Sequence, residues 1–139
     1  MTMYRKIMVP VDLAHTDTLG KALKTAADLA RLYGASVTYV GVTMSTPGPV
    51  AKTPEEFDRQ LRHFAGEEAS RHGIEAAAKS IVVHDAAVDL NHALLHAVED
   101  IEADLVVMAS HRLGFPDHFF ASHASTVAQH ADVSVLVVR

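Results

Sequence analysis

The apolar residues of this chain keep two alternating rhythms. Short, almost unbroken runs come at Ile7-Met8-Val9-Pro10-Val11, Val37 to Val42, Ile81-Val82-Val83, Leu105-Val106-Val107-Met108 and Val135 to Val138. Runs of this length without alternation are expected of parallel strands covered on both faces. Between them, apolar residues recur at three- and four-residue spacing, the period of a helix packed on a sheet. Leu19, Leu23, Ala26, Ala27, Ala30 and Leu32 form the first such stripe, Phe57, Leu61, Phe64 and Ala65 the second, and Leu90, Leu94, Ala97, Val98 and Ile101 the third. A fourth helix is expected from about Phe119 to Ala131.

Punctuation between these stretches supports the division. The first helix is expected to begin near His15-Thr16-Asp17, where Thr16 or Asp17 can cap it. Gly34 and Gly73 stand where helices close on a left-handed residue. Thr53-Pro54-Glu55-Glu56 opens the second helix, with proline at its first position and acids in its first turn. Pro10 lacks an N–H and so suits only the end of the first strand, which leaves Asp12 at its carboxyl tip. Strands alternating with helices predict an α/β fold, a parallel sheet joined by right-handed crossovers. With 139 residues and no repeat, linker or low-complexity segment, one domain over residues 1–139 is expected.

Composition narrows the function classes. No apolar run approaches the ~18 residues that span a bilayer, and the amino terminus runs straight into a strand, so neither a membrane span nor a signal peptide is expected. A net charge of −5 without basic clusters, and no tryptophan, argue against nucleic-acid binding. The absence of cysteine excludes disulfides and thiolate metal sites and suits the cytoplasm.

Candidate chemistry gathers in the last third. The polar loop Ala109-Ser110-His111-Arg112-Leu113-Gly114 follows the fourth strand, and small residues, Ala121-Ser122-His123-Ala124-Ser125, lead into the last helix. In open α/β sheets, ligands sit beyond the carboxyl ends of strands at the amino ends of helices, where free N–H groups and the helix dipole favour anions. Each residue also has a plainer reading: Asp12 or Ser122 as a helix cap, Arg112 as a solvated side chain. Among the ten histidines, His111, His118 and His123 share one loop region, but their spacing matches no zinc motif. His92 and His96 lie four apart on a helix without an evident third ligand, and no metal site is expected. No G-x-S-x-G elbow, cysteine nucleophile or full Walker loop occurs, and no catalytic residue is assigned.

Ala-Ser-His-Arg at 109–112, Ser122 after a small residue, and His130-Ala131 leading into Ser134-Val-Leu-Val-Val-Arg139 resemble the universal stress protein family. Nucleotide-binding members of that family carry G-x2-G-x9-G-[ST] here. This chain has Ala109, Arg112 and Ala121 at the three glycine positions and eight residues in the long gap. The resemblance implies an open five-stranded parallel sheet of order 3-2-1-4-5 with helices on both faces, the adenine-nucleotide alpha hydrolase-like arrangement. It implies binding of ATP or AMP: Pro10, Val11 and Asp12 would border adenine and ribose, and Val42 would offer backbone groups to the adenine edge. Ala109, Ser110, His111 and Arg112 would wrap the ribose and first phosphate, and Ala121, Ser122 and His123 would meet the phosphates. It further implies a homodimer paired through Val135, Leu136, Val137 and Val138; the alternative is a loop covering that edge. The implied activity is a sensor or regulator in the stress response, with at most slow ATP hydrolysis. A stress protein of the same fold that acts through protein contacts without nucleotide is the alternative. A receiver-like phosphoacceptor, which needs clustered acids and a lysine at strand tips, fits less well because Asp12 stands alone.

Overall fold

The computed structural model describes residues 3–110 and 124–139. Its elements run β1 (Lys6–Pro10), a 3-10 turn (Leu13–Thr18), α1 (Gly20–Tyr33), β2 (Ser36–Met44), α2 (Pro54–His72), β3 (Ala76–Val83), α3 (Ala86–Asp100), β4 (Leu105–Ala109), α4 (Ala124–His130) and β5 (Ser134–Val138). The five strands form one sheet in the order β3-β2-β1-β4-β5, with every neighbouring pair parallel. This is the expected architecture and strand order.

The alternation of side chains along each strand divides the core between the two faces of the sheet. Ile7, Val9 and Val11 of the first strand segment join Val37, Tyr39, Leu105 and Val107 beneath α1 and α2. Met8, Val40, Val106 and Met108 point the other way, against Leu90, Leu94 and Val98 of α3 and Val127 of α4. β1 and β4, in the middle, are buried on both faces, which is why their sequences are unbroken apolar runs. The Asp104 carboxylate accepts from the backbone N–H groups of Arg5 (2.9 Å) and Lys6 (3.1 Å), fixing the start of β4 to the start of β1.

The helix ends follow the sequence signals in three places. Gly34 and Gly73 close α1 and α2 in left-handed conformations, with φ of 66° and 62°. Thr53 caps α2, its hydroxyl accepting from the Glu56 N–H at 3.1 Å. Elsewhere the structure corrects the expectation. α1 begins at Gly20, and neither Thr16 nor Asp17 caps it; the preceding residues form a 3-10 turn kinked at His15. Asp12 caps that turn, accepting from the Ala14 N–H at 3.0 Å. Leu32 is 72% exposed rather than facing the sheet, because two residues beyond Ala30 is about 200° around a helix of 3.6 residues per turn. β2 continues past Val42 to Met44, still paired with β3 through Thr43↔Val82 and Met44↔Val83. Ala109, read as the first loop residue, is the last residue of β4 and is buried opposite Val138. The part of the last helix expected from Phe119 lies outside the described residues as far as His123.

Candidate functional site

Where β1 leaves the sheet, its neighbour does not. β1 and β2 pair through Pro10↔Val40, and the Val11 N–H makes a final bond to the Val40 carbonyl at 2.8 Å. The chain then turns away into the 3-10 segment, whereas β2 runs on for four more residues beside β3. Residues two apart in a strand direct their backbone groups to the same side. The Val40 carbonyl faces β1, so the backbone groups of Val42 face the space that β1 has vacated.

That space is a cleft of about 230 Å³. Val11, Val42, Met44, Val50 and Phe57 give it apolar walls, and Asp12 and His15 are the titratable side chains lining it among the described residues. Val50 is held in place by a bond from the Gln60 side-chain amide to its carbonyl (3.0 Å) and by the turn closed between the Gly48 N–H and the Ala51 carbonyl (3.0 Å). Phe57 projects from the first turns of α2 and is buried. It reaches this wall because Gly41, opposite it in β2, has no side chain.

Asp12 binds its own turn with both oxygens. Oδ1 accepts from the Ala14 N–H, and Oδ2 lies 2.9 Å from Nδ1 of His15. A carboxylate only accepts, so Nδ1 carries the proton and donates. The Asp12 side chain is 17% exposed and that of His15 41%, so the pair stands at the mouth of the cleft. An ionised carboxylate has about four lone-pair sites, and two are used here.

The cleft gathers Val11, Asp12 and Val42 of the residues singled out in the sequence. Pro10 is buried at the end of β1 beneath it. Ala109 ends the neighbouring strand β4, and Ser110 follows it. β1 and β4 pair through Ile7↔Leu105 and Met8↔Val106, so the carboxyl end of β4 runs beside that of β1. The Ser110 N–H is turned away, donating to the Val138 carbonyl at 2.7 Å. His111, Arg112, Ala121, Ser122 and His123 lie outside the described residues. His15, Thr43, Met44, Val50 and Phe57 belong to the wall and escaped the sequence reading. The available signal was Gly41, since a glycine inside a strand marks close approach by another group.

An open parallel sheet with a cleft over its strand tips places the molecule among α/β proteins of the doubly wound class. The model of the Universal stress protein family matches residues 3–139, and the chain belongs to that family. Universal stress protein G of Salmonella typhimurium is 30% identical over 148 residues, which cover 99% of this chain and all of the relative. Among solved structures, a universal stress protein family member from Burkholderia pseudomallei superposes with a TM-score of 0.72 at 26% identity, covering 99% of this chain and 98% of the other. The universal stress protein of Archaeoglobus fulgidus in complex with dAMP gives 0.70 at 22% identity, covering 99% of each chain.

Proposed function

We propose that this protein binds an adenine nucleotide, ATP or AMP, in the cleft between Asp12 and Val42 and works as a cytoplasmic regulator in the stress response. The carrying observation is the cleft itself. It is an apolar slot beyond the tip of β1, edged on one side by the backbone of Val42, where β2 runs on, and on the other by a carboxylate. Adenine is a flat apolar body whose edge carries donors and acceptors, and the backbone of Val42 matches that edge. Ribose hydroxyls are donors, and Asp12 retains accepting capacity for them. The dAMP complex of the Archaeoglobus fulgidus protein, which shares the fold, supports this reading. The described walls are smaller than the roughly 300–1,000 Å³ of typical small-molecule pockets. They would hold base and sugar, leaving the phosphates to Ser110, His111, Arg112, Ala121, Ser122 and His123. Calorimetric titration with ATP, ADP and AMP tests the proposal. Saturable heat is expected; no heat and no thermal shift at millimolar nucleotide would reject it.

The same proposal includes a homodimer. β5 is the outer strand on its side of the sheet, and Leu136 and Val137 remain more than a third exposed. An apolar edge of this kind invites pairing with another strand. A second copy of β5 across a two-fold axis would complete it.

One observation favours the alternative, a family member that acts through protein contacts without nucleotide. Both oxygens of Asp12 already serve its own turn. The same titration separates the two readings.

A further inference from the structure

A second cluster lies away from the cleft, on the opposite edge of the sheet from β5. His92 and His96 stand one turn apart on α3, their ring centroids 6.5 Å apart and their planes inclined by 31°. Both are exposed. One turn further on, Oδ2 of Asp100 lies 3.2 Å from Nδ1 of His96. Lys79 of the edge strand β3 places its Nζ 3.7 Å from the same oxygen. His92, His96, Asp100 and Lys79 line one surface groove with Ser80 and Val82.

We propose that His92 and His96 form an open binding site for a divalent transition-metal ion, with Asp100 as the partner that orients His96. The carboxylate of Asp100 can only accept, so it holds the proton of His96 on Nδ1 and leaves Nε2 with a free lone pair. A histidine bonded to a carboxylate through one nitrogen and to a metal through the other is a recurrent arrangement, and the carboxylate raises the basicity of the ligating nitrogen. Metal–nitrogen bonds of about 2.0–2.1 Å bring two imidazole centroids to about 5 Å of each other. The present separation therefore needs a closure of roughly 1.5 Å, which two solvent-facing side chains reach by changing side-chain torsions.

Donor chemistry fixes the class of ion. Imidazole suits copper, nickel and zinc, and affinities for divalent ions peak at Cu²⁺. Among the described residues no three histidine, cysteine or acidic side chains converge as a closed metal centre. The ion would therefore keep water in its remaining positions and exchange readily. Lys79 opposes binding twice over: its charge repels the ion, and it competes for the Asp100 oxygen.

The test is titration of the intact chain with Cu²⁺ alone, read by calorimetry and by the nitrogen couplings of the electron paramagnetic spectrum. One equivalent with two nitrogen ligands is expected to bind ahead of any others. Asp100→Asn should weaken it about tenfold or more, the usual effect of losing such an orienting partner. His92→Ala and His96→Ala should weaken it further, and Lys79→Met should strengthen it. His63, exposed and paired with Glu67 on α2, serves as the control, and His63→Ala should change nothing. A His92→Ala, His96→Ala double variant that binds the first equivalent as tightly as the parent overturns the site. Equal weakening by His63→Ala overturns it too, because binding would then be spread over the surface histidines. An Asp100→Asn variant with unchanged affinity overturns the role given to the carboxylate.

Discussion

Gly41 and Phe57 share a space with no room for a methyl group. A Cβ on Gly41 would lie 2.8 Å from Cζ of Phe57 and 3.2 Å from Cδ2 of Leu61. Gly41 sits within β2, and Phe57 is both part of the core and a wall of the cleft. The width of the cleft is thus set by a missing side chain on the strand behind it.

Gly41→Ala should therefore act at two places. Overpacking of this kind costs about 1–3 kcal/mol, and the ring of Phe57 has the cleft as its outlet. Urea unfolding should show a stability loss of that order, and calorimetry should show weakened nucleotide binding. Combining it with Phe57→Leu should recover part of the stability, with a coupling that a double-mutant cycle resolves. Full additivity of the two substitutions would contradict the contact.

Asp12 offers a separation of structural from binding roles. Asparagine is as good a cap as aspartate, so Asp12→Asn should keep the 3-10 turn and most of the stability. It loses the charge, and hydrogen bonds to charged groups contribute about 1.5–3 kcal/mol, so AMP affinity should fall by one to two orders of magnitude. Asp12→Ala should lose the cap as well, at a cost of about 0.5–2 kcal/mol. Calorimetry and thermal unfolding on the three proteins give both quantities. Unaltered AMP affinity in Asp12→Asn would place the carboxylate outside the binding site.

Part of this arrangement is legible in the sequence. The buried strands and their parallel arrangement were readable because full burial on both faces leaves unbroken apolar runs, as at Leu105 to Met108. Helix ends were readable where a single residue type meets a backbone demand, as at Gly34, Gly73 and Thr53. The 3-10 turn was not, because short-range backbone bonds and the accepting Asp12 carboxylate hold it and it carries no periodic signature. Nor was the length of β2, since Thr43 and Met44 are strand only through pairing with Val82 and Val83. Of the cleft, Asp12 followed from the tip of the first strand and Val42 only from the family resemblance, whereas Phe57 looked like ordinary core. His15 gave no sign of its place beside Asp12.

Tyr39 carries a prediction about pH. Its ring is fully buried, packed edge-on against Phe64 at 5.3 Å, and its hydroxyl has no hydrogen-bond partner among the described residues. Burial, with a smaller contribution from the charge of Glu68, raises its pKa well above the usual value for tyrosine. The unfolded chain ionises this phenol near pH 10, and the folded chain keeps it neutral to higher pH. Its contribution to stability is thus fully present below about pH 10 and is lost as pH rises from the unfolded toward the folded pKa. Tyr39→Phe should leave stability at pH 7 unchanged or slightly higher, since an unsatisfied buried hydroxyl is removed. It should also make the alkaline decline between pH 10 and 11 shallower. Urea unfolding midpoints across that range decide it, and parallel declines for the two proteins would exclude Tyr39 as a source.

The edge strand gives the test of assembly. Val138 accepts from the Ser110 N–H, so its backbone groups face β4. By the two-residue alternation of a strand, those of Val137 face away from the sheet, where a second copy would pair. Val137→Pro removes an outward donor and leaves the bonds to β4 intact, and proline is tolerated at sheet edges for this reason. A dimer built on β5 should dissociate under this substitution, while Val137→Thr, which keeps the donor and a β-branched side chain, should stay paired. Light scattering coupled to size exclusion, at concentrations spanning the dimer's dissociation, reads the difference, and urea unfolding confirms that both variants remain folded. A Val137→Pro protein that stays dimeric would move the interface to another surface of the fold.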